Sequence, residues 1–208
     1  MKQGKFITLE GIDGAGKSTQ LAWIVELLQR VGIPSVVTRE PGGTALGEKL
    51  RDILLDGSFM IYPETEALLM FAARREHLGR VILPALTKGQ WVISDRFTDA
   101  SFAYQGGGRG LDTAKLEILE HWVQGALQPD LTLYFDVPVE VGQQRVSQGG
   151  SIDRFEQEKA EFFQRVRAAY LDRARQFPGR IKIIDSSQSL AEVKAAVEQT
   201  LRPLLNNV

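Results

Sequence analysis

The chain has 208 residues, 43% hydrophobic and 25% charged, enough for one domain with a sizeable buried core. A formal net charge of −1 excludes the global basic field of a duplex nucleic-acid binder, so any polyanion site is local and no nucleic-acid partner is expected. The absence of cysteine removes disulfides, thiolate metal sites and a cysteine nucleophile together.

In chain order, Lys5 to Glu10 (KFITLE) is a short β-branched run that ends at a glycine and reads as a buried strand. Ser18 to Val31 spaces Leu21, Ile24, Val25, Leu27 and Leu28 into one apolar helical stripe, stopped at Gly32. Pro34 to Arg39 is the second strand. Two helical stretches follow, Ala45 to Leu55 and Glu64 to Leu86, and Gln90 to Ser94 is the third strand. A helical hairpin region runs to about Leu127, and Leu131 to Asp136 is the fourth strand. Val139 to Val146 and Phe155 to Phe177 read as helices, Ile181 to Ile184 as the fifth strand and Leu190 to Leu205 as a closing helix. Strands that alternate with helices and are apolar without alternation predict a five-stranded parallel sheet flanked by helices on both faces. Ser147 to Ser151 (SQGGS) is small, polar and glycine-rich, a candidate lid over positions 146–154 of a single domain. His77 and His121, far apart in sequence, read as partly exposed helical residues. The N-terminus enters the first strand directly, and no window approaches about 18 uninterrupted apolar residues, so a soluble, cytoplasmic protein without a membrane partner is expected.

Gly11-Ile12-Asp13-Gly14-Ala15-Gly16-Lys17-Ser18 matches G-x-x-x-x-G-K-[ST] between a strand and a helix, the context a phosphate-binding loop needs. Its glycines let successive N–H groups face phosphate oxygens, and the helix that starts near Lys17 adds its positive end. Lys17 is then the group for the β- and γ-phosphates, and Ser18 a ligand for Mg²⁺. No N-K-x-D or T-K-x-D segment specifies guanine. Small-molecule kinases are favoured, and these require an acceptor site.

Asp95-Arg96 follows the third strand at its C-terminal end, where open parallel sheets place their ligand crevice. An acid there suits Mg²⁺ or its water, and an arginine suits a phosphate. Arg39-Glu40-Pro41-Gly42-Gly43 closes the second strand at the same sheet edge. Phe71 and Arg74 share a helical face, read either as a ring and guanidinium for a base or as a core phenylalanine beside an exposed arginine. Ser101, Tyr104 and Gln105 also share one side, ahead of Gly106 to Gly110, an anion-friendly glycine-rich loop.

Taken in order, GIDGAGKST, TREPGGT, FAARR, SDRFTDAS, AYQGGGRG, PDLTLYFD and DRFE resemble the bacterial thymidylate kinase family, over essentially the whole chain from Phe6 onward. The resemblance implies a three-layer P-loop NTPase fold with a short lid, transfer of the ATP γ-phosphoryl group to dTMP, Mg²⁺ as cofactor, and a homodimer, for which apolar helices such as Glu64 to Leu86 offer a seam. It implies ATP contacts over Gly11 to Ser18 and at Thr19. Asp13 would hold the sugar 3′-OH region, Glu40 would lie near the transferred phosphate, and Arg96, helped by Arg51, would grip the acceptor phosphate, with Asp95 near the metal. Phe71 or Met70 would stack on thymine, Arg74 (or Arg75) would bond its carbonyl edge, Ser101 and Gln105 would reach its other polar atoms, and Tyr104 would select deoxyribose. The departure lies in the lid, which keeps arginines only at its ends, with Gly149 where the family commonly has one. Arg154 is the first choice to neutralise the transferring phosphoryl; Arg145 is the second, or it stacks on adenine.

Overall fold

The computed structural model describes residues 4–58, 60–147, 154–155 and 158–206. Five strands, β1 (Phe6–Glu10), β2 (Ser35–Arg39), β3 (Trp91–Asp95), β4 (Leu131–Asp136) and β5 (Ile181–Asp185), form one parallel sheet in the order β2-β3-β1-β4-β5. The helices are α1 (Lys17–Arg30), α2 (Ala45–Leu55), α3 (Pro63–His77), α4 (Leu83–Thr87), α5 (Thr98–Ser101), α6 (Thr113–Gln124), α7 (Val139–Val146), α8 (Ala160–Gln176) and α9 (Leu190–Leu205). The expected five-stranded α/β architecture is therefore present. One expectation about it is too broad. β1, β3 and β4 are buried nearly throughout, but β2 and β5, at the edges, are partly exposed because each is covered by a neighbouring strand on one side only.

Side chains alternate across the inner strands. Ile7, Leu9, Ile93 and Leu133 enter a large core that includes Ile24 and Leu28 of α1, Val166 and Tyr170 of α8, and Val197 of α9. Phe6 and Val92 point the other way, into a smaller core with Leu78, Ile82, Leu86 and Phe97. Two apolar layers on one sheet give three layers in all.

Two long helical readings break up. Glu64 to Leu86 is α3, a π-helical turn over Leu78–Ile82, and α4. Between α5 and α6 the chain widens into a second π-helical stretch, Phe102–Gly108, of the kind that re-aims side chains at functional sites. The glycines after Gln105 do not form an open anion-binding loop. A Cβ on Gly107 would stand 2.6 Å from the Ala169 Cβ, so the glycines are there to let this stretch lie flat on α8. The last correction is at α8, which begins at Ala160; Phe155 lies in a turn before it. Of the lid, 148–153 including Gly149 lie outside the described residues.

Candidate active site

The C-terminal ends of β1, β2 and β3 converge on one crevice, where the strand order leaves the connections from β1 and β3 on opposite sides. At the end of β1 the loop from Gly11 to Gly16 turns tightly into α1. Gly14 has φ 78°, and a Cβ there would come within 2.2 Å of the Gly142 carbonyl oxygen, so only glycine fits. Lys17 Nζ donates to the Gly11 and Ile12 carbonyls, each at 3.0 Å, and lies 3.6 Å from Asp13. Burial, and then the neighbouring Arg96 guanidinium, hold the Lys17 ammonium below its ordinary pKa. Ile12 and Ala15 are buried in the core, while Ser18 and Thr19 are exposed on the first turn of α1. Arg145 Nη1 braces the loop from α7 by donating to the Gly14 and Ser186 carbonyls, both at 3.2 Å.

A cleft opens beside this loop. Asp13, Asp95 and Arg96 line one part of it; Arg74, Ser101 and Gln105 line another, with Met70, Tyr104 and Phe155 as apolar wall. Among the described residues, Arg96 is the non-glycine residue with a left-handed backbone, φ 67°. That conformation sends its side chain over the Tyr104 ring at 4.9 Å and on to the phosphate loop, where Nη1 donates to the Gly11 carbonyl and Nη2 to Asp13 Oδ1, each at 2.7 Å. Burial alone would raise the Asp13 carboxyl, but the Arg96 and Lys17 charges outweigh it and hold it below its ordinary value. Ser94 Oγ and the Glu10 carboxyl group fix the strained turn from either side, the first donating to the Arg96 carbonyl and the second accepting from Phe97 N–H.

Glu40 is buried at the end of β2, where its Oε2 accepts from Arg74 Nε at 2.7 Å and its Oε1 meets His77 Nδ1 at 2.9 Å. His77 is not partly exposed as the sequence suggested. It is fully buried, because its other nitrogen pairs with Thr38 Oγ1 on β2. His121 is exposed. Arg74 is also buried, held between the Phe71 and Phe97 rings, with Nη2 donating to Ser101 Oγ at 2.9 Å. Its Nη1 is buried and has no hydrogen-bond partner among the described residues. Arg75 is exposed. Phe71 packs into the core with Ala67, Phe102 and Leu116, and Met70 is the residue of the two that faces the cleft. Arg51 lines the rim and donates to the Pro41 carbonyl at 2.9 Å.

Of the residues the sequence nominates, Arg154 lies elsewhere: it donates to Glu66 Oε2 at 2.6 Å and to the Leu54 carbonyl at 2.7 Å. Glu66 went unnoticed in the sequence, although Glu66, Met70 and Arg74 follow one another at i, i+4 and i+8 on one face of α3.

Comparison with known proteins decides the family. A family model described as thymidylate kinase matches residues 9–197. A thymidylate kinase of Nitrosomonas europaea is 66% identical, covering 96% of this chain and 93% of its own. One from Cupriavidus necator is 60% identical, over 96% and 98%. A solved thymidylate kinase structure from Ehrlichia chaffeensis superposes with a TM-score of 0.78 at 34% identity, covering 96% and 99% of the two chains.

This chain belongs to the thymidylate kinase family.

It is accordingly a nucleoside monophosphate kinase, a phosphotransferase. The donor set of this thymidylate kinase family member suits a divalent cation held partly by phosphate. Ser18 and Asp95 line a second cleft next to the loop, and Asp95 Oδ1 is buried without a hydrogen-bond partner among the described residues. No group of three His, Asp or Glu side chains gathers to hold a metal unaided among those residues. Mg²⁺ needs none, since it is commonly bound through one or two protein ligands together with substrate phosphates.

Proposed function

We propose that this enzyme transfers the γ-phosphoryl group of ATP to dTMP, giving dTDP and ADP. The observation that carries the reading is the arrangement of one continuous cleft: Arg96 joins its phosphate-loop side, while a buried arginine, a serine and an amide await a base. ATP would lie along Gly11 to Thr19 with Arg145 beside it, and the dTMP phosphate would meet Arg96 and Arg51. A phosphate oxygen of dTMP attacks the γ-phosphorus in line, the bond to the β-phosphate oxygen breaks, and ADP leaves. The protein's work is placement and charge compensation, because the transferred group needs little covalent help. Lys17 and Arg96 face the phosphates from two sides. Glu40 holds Arg74, and so orients the donor meant for a base carbonyl. Tyr104 packs under Arg96, where its ring crowds a sugar 2′ substituent. Mg²⁺, held by Ser18 and Asp95, would neutralise charge on the phosphate oxygens.

Met70, not Phe71, is assigned the contact with the thymine face. Arg145 is assigned to the ATP side because it already touches the loop; Arg154 reaches the phosphoryl group only after leaving Glu66. We also infer a cytoplasmic homodimer built from one functional domain per chain. No helix among the described residues is long and apolar enough to cross a membrane. The adjoining helices α2, α3 and α6 expose Ile53, Leu68, Ile118 and Trp122, apolar surface suited to a second copy. A coupled assay with ATP, Mg²⁺ and dTMP tests the reaction. Stoichiometric ADP and dTDP are expected, and an absence of dTDP would overturn it.

A further inference from the structure

Glu66 is wholly buried on α3, one helical turn before Met70, and the reaction described above makes no use of it. Its Oε1 accepts from Gln105 Nε2 at 2.9 Å, its Oε2 accepts from Arg154 Nη2 at 2.6 Å, and Arg109 Nε lies 3.3 Å from both oxygens. A carboxylate facing two guanidinium groups is an acceptor at both oxygens. The part of Gln105 turned toward it must therefore be the NH₂ group, so the chemistry of the partner fixes the amide rotation. With one N–H given to Glu66, Gln105 keeps its second N–H and its carbonyl oxygen, and the oxygen, on the side of the amide away from the carboxylate, is the acceptor it can present to the cleft it lines. Arg74 Nη1, lining the same cleft, is a buried donor with no hydrogen-bond partner among the described residues. The base end of the cleft thus offers a donor and an acceptor of fixed polarity.

We propose that Glu66 is a specificity-determining positioning residue: by holding the Gln105 amide in one orientation, it makes the site prefer a pyrimidine with a carbonyl at position 4 and an N–H at position 3. Thymine has that edge. Cytosine has the reverse, an amino group at position 4 and a lone pair at position 3, so both of its polar atoms would meet a like partner. The inference rests on the dTMP reading above and deepens it.

The test is the ratio of kcat/KM for dTMP to that for dCMP, measured in the wild type, in Glu66→Gln and in Arg154→Met. Glu66→Gln keeps the volume but can donate as well as accept, which frees Gln105 to rotate. The ratio is expected to fall by about tenfold or more, chiefly because dCMP loses less than dTMP. In Arg154→Met both substrates should slow together, leaving the ratio at its wild-type value. A Glu66→Gln ratio within about twofold of wild type overturns the role of Glu66. A wild type without preference for dTMP overturns the base reading beneath it, a distinguishable failure. A measurement on the wild type guards against a variant that does not fold. Of the two Gln105 side-chain N–H resonances, one should be shifted downfield and exchange slowly with solvent because the carboxylate accepts it, and two resonances at free-amide positions would likewise overturn the proposal.

Discussion

Arg96 shows how much a single backbone angle can decide. A φ of 67° is costly for a residue with a Cβ, and here neighbouring groups offset the cost: Phe97 N–H is taken by Glu10 and the Arg96 carbonyl by Ser94 Oγ. The strain aims a guanidinium across the cleft to the Gly11 carbonyl and Asp13, beside the phosphate loop, where the proposed reaction brings acceptor and donor phosphates together. Arg96→Ala removes that charge while leaving the loop backbone and Lys17 in place. Steady-state kcat should drop by about 10³-fold or more, with the ATP dissociation constant changed only a few-fold. Turnover at the wild-type level would remove Arg96 from the transfer step. At this same scale Arg74 differs from an ordinary surface arginine. It is buried, paired with Glu40 and stacked between two rings, so its position is set before any base arrives.

Elements meet at Glu10. This residue ends β1, its Oε1 accepts the Phe97 N–H that leads into α5, and its Oε2 pairs with the Tyr170 hydroxyl of α8. Burial, reinforced by Asp99, pushes its carboxyl up from 4.5 to about 8; Tyr170, Arg96 and the Phe97 amide oppose the shift without cancelling it. Its sign is unlike that of a salt-bridged acid. Between pH 4.5 and about 8 the folded chain keeps a proton that the unfolded chain has released, so the contribution of Glu10 to stability is lost as pH rises through that window. Urea midpoints should therefore decline less between about pH 5 and about pH 8 in Glu10→Gln than in the wild type. Parallel declines would show that Glu10 is not the group responsible. Arg173 and Arg180 clamp Asp99 nearby, which keeps that second buried acid below its ordinary value despite its burial.

Among the described residues the molecule is a sheet with three unequal apolar cores, a cleft at the C-terminal ends of its strands and exposed apolar side chains on α2, α3 and α6. Trp122, 78% exposed on α6, is a poor residue to leave in water. Light scattering should give twice the 23.1 kDa chain mass, and Trp122→Glu should shift the population toward monomer. A wild type that stays at one chain mass at micromolar concentration would refute the pairing. At this scale the contribution of sequence and of tertiary structure can be separated. The amino-acid order by itself determined the five strands, their parallel arrangement, the phosphate loop and the family, because these rest on local periodicity, glycine placement and motif spacing. It also marked Arg96 from its place after β3, and Ser101, Tyr104 and Gln105 from the helical side they share; all four line the cleft. Only tertiary structure decided that Phe71 turns into the core and Met70 into the cleft, since adjacent helical positions differ by about 100° in direction and the period alone does not say which faces the sheet. Only tertiary structure buried His77, a residue of α3 whose partners Thr38 and Glu40 lie on β2 and just after it. The same holds for Glu66, whose partners lie 39 and 88 residues away in the chain. Pairings over such distances leave no local pattern in a sequence, so only the folded chain reveals them.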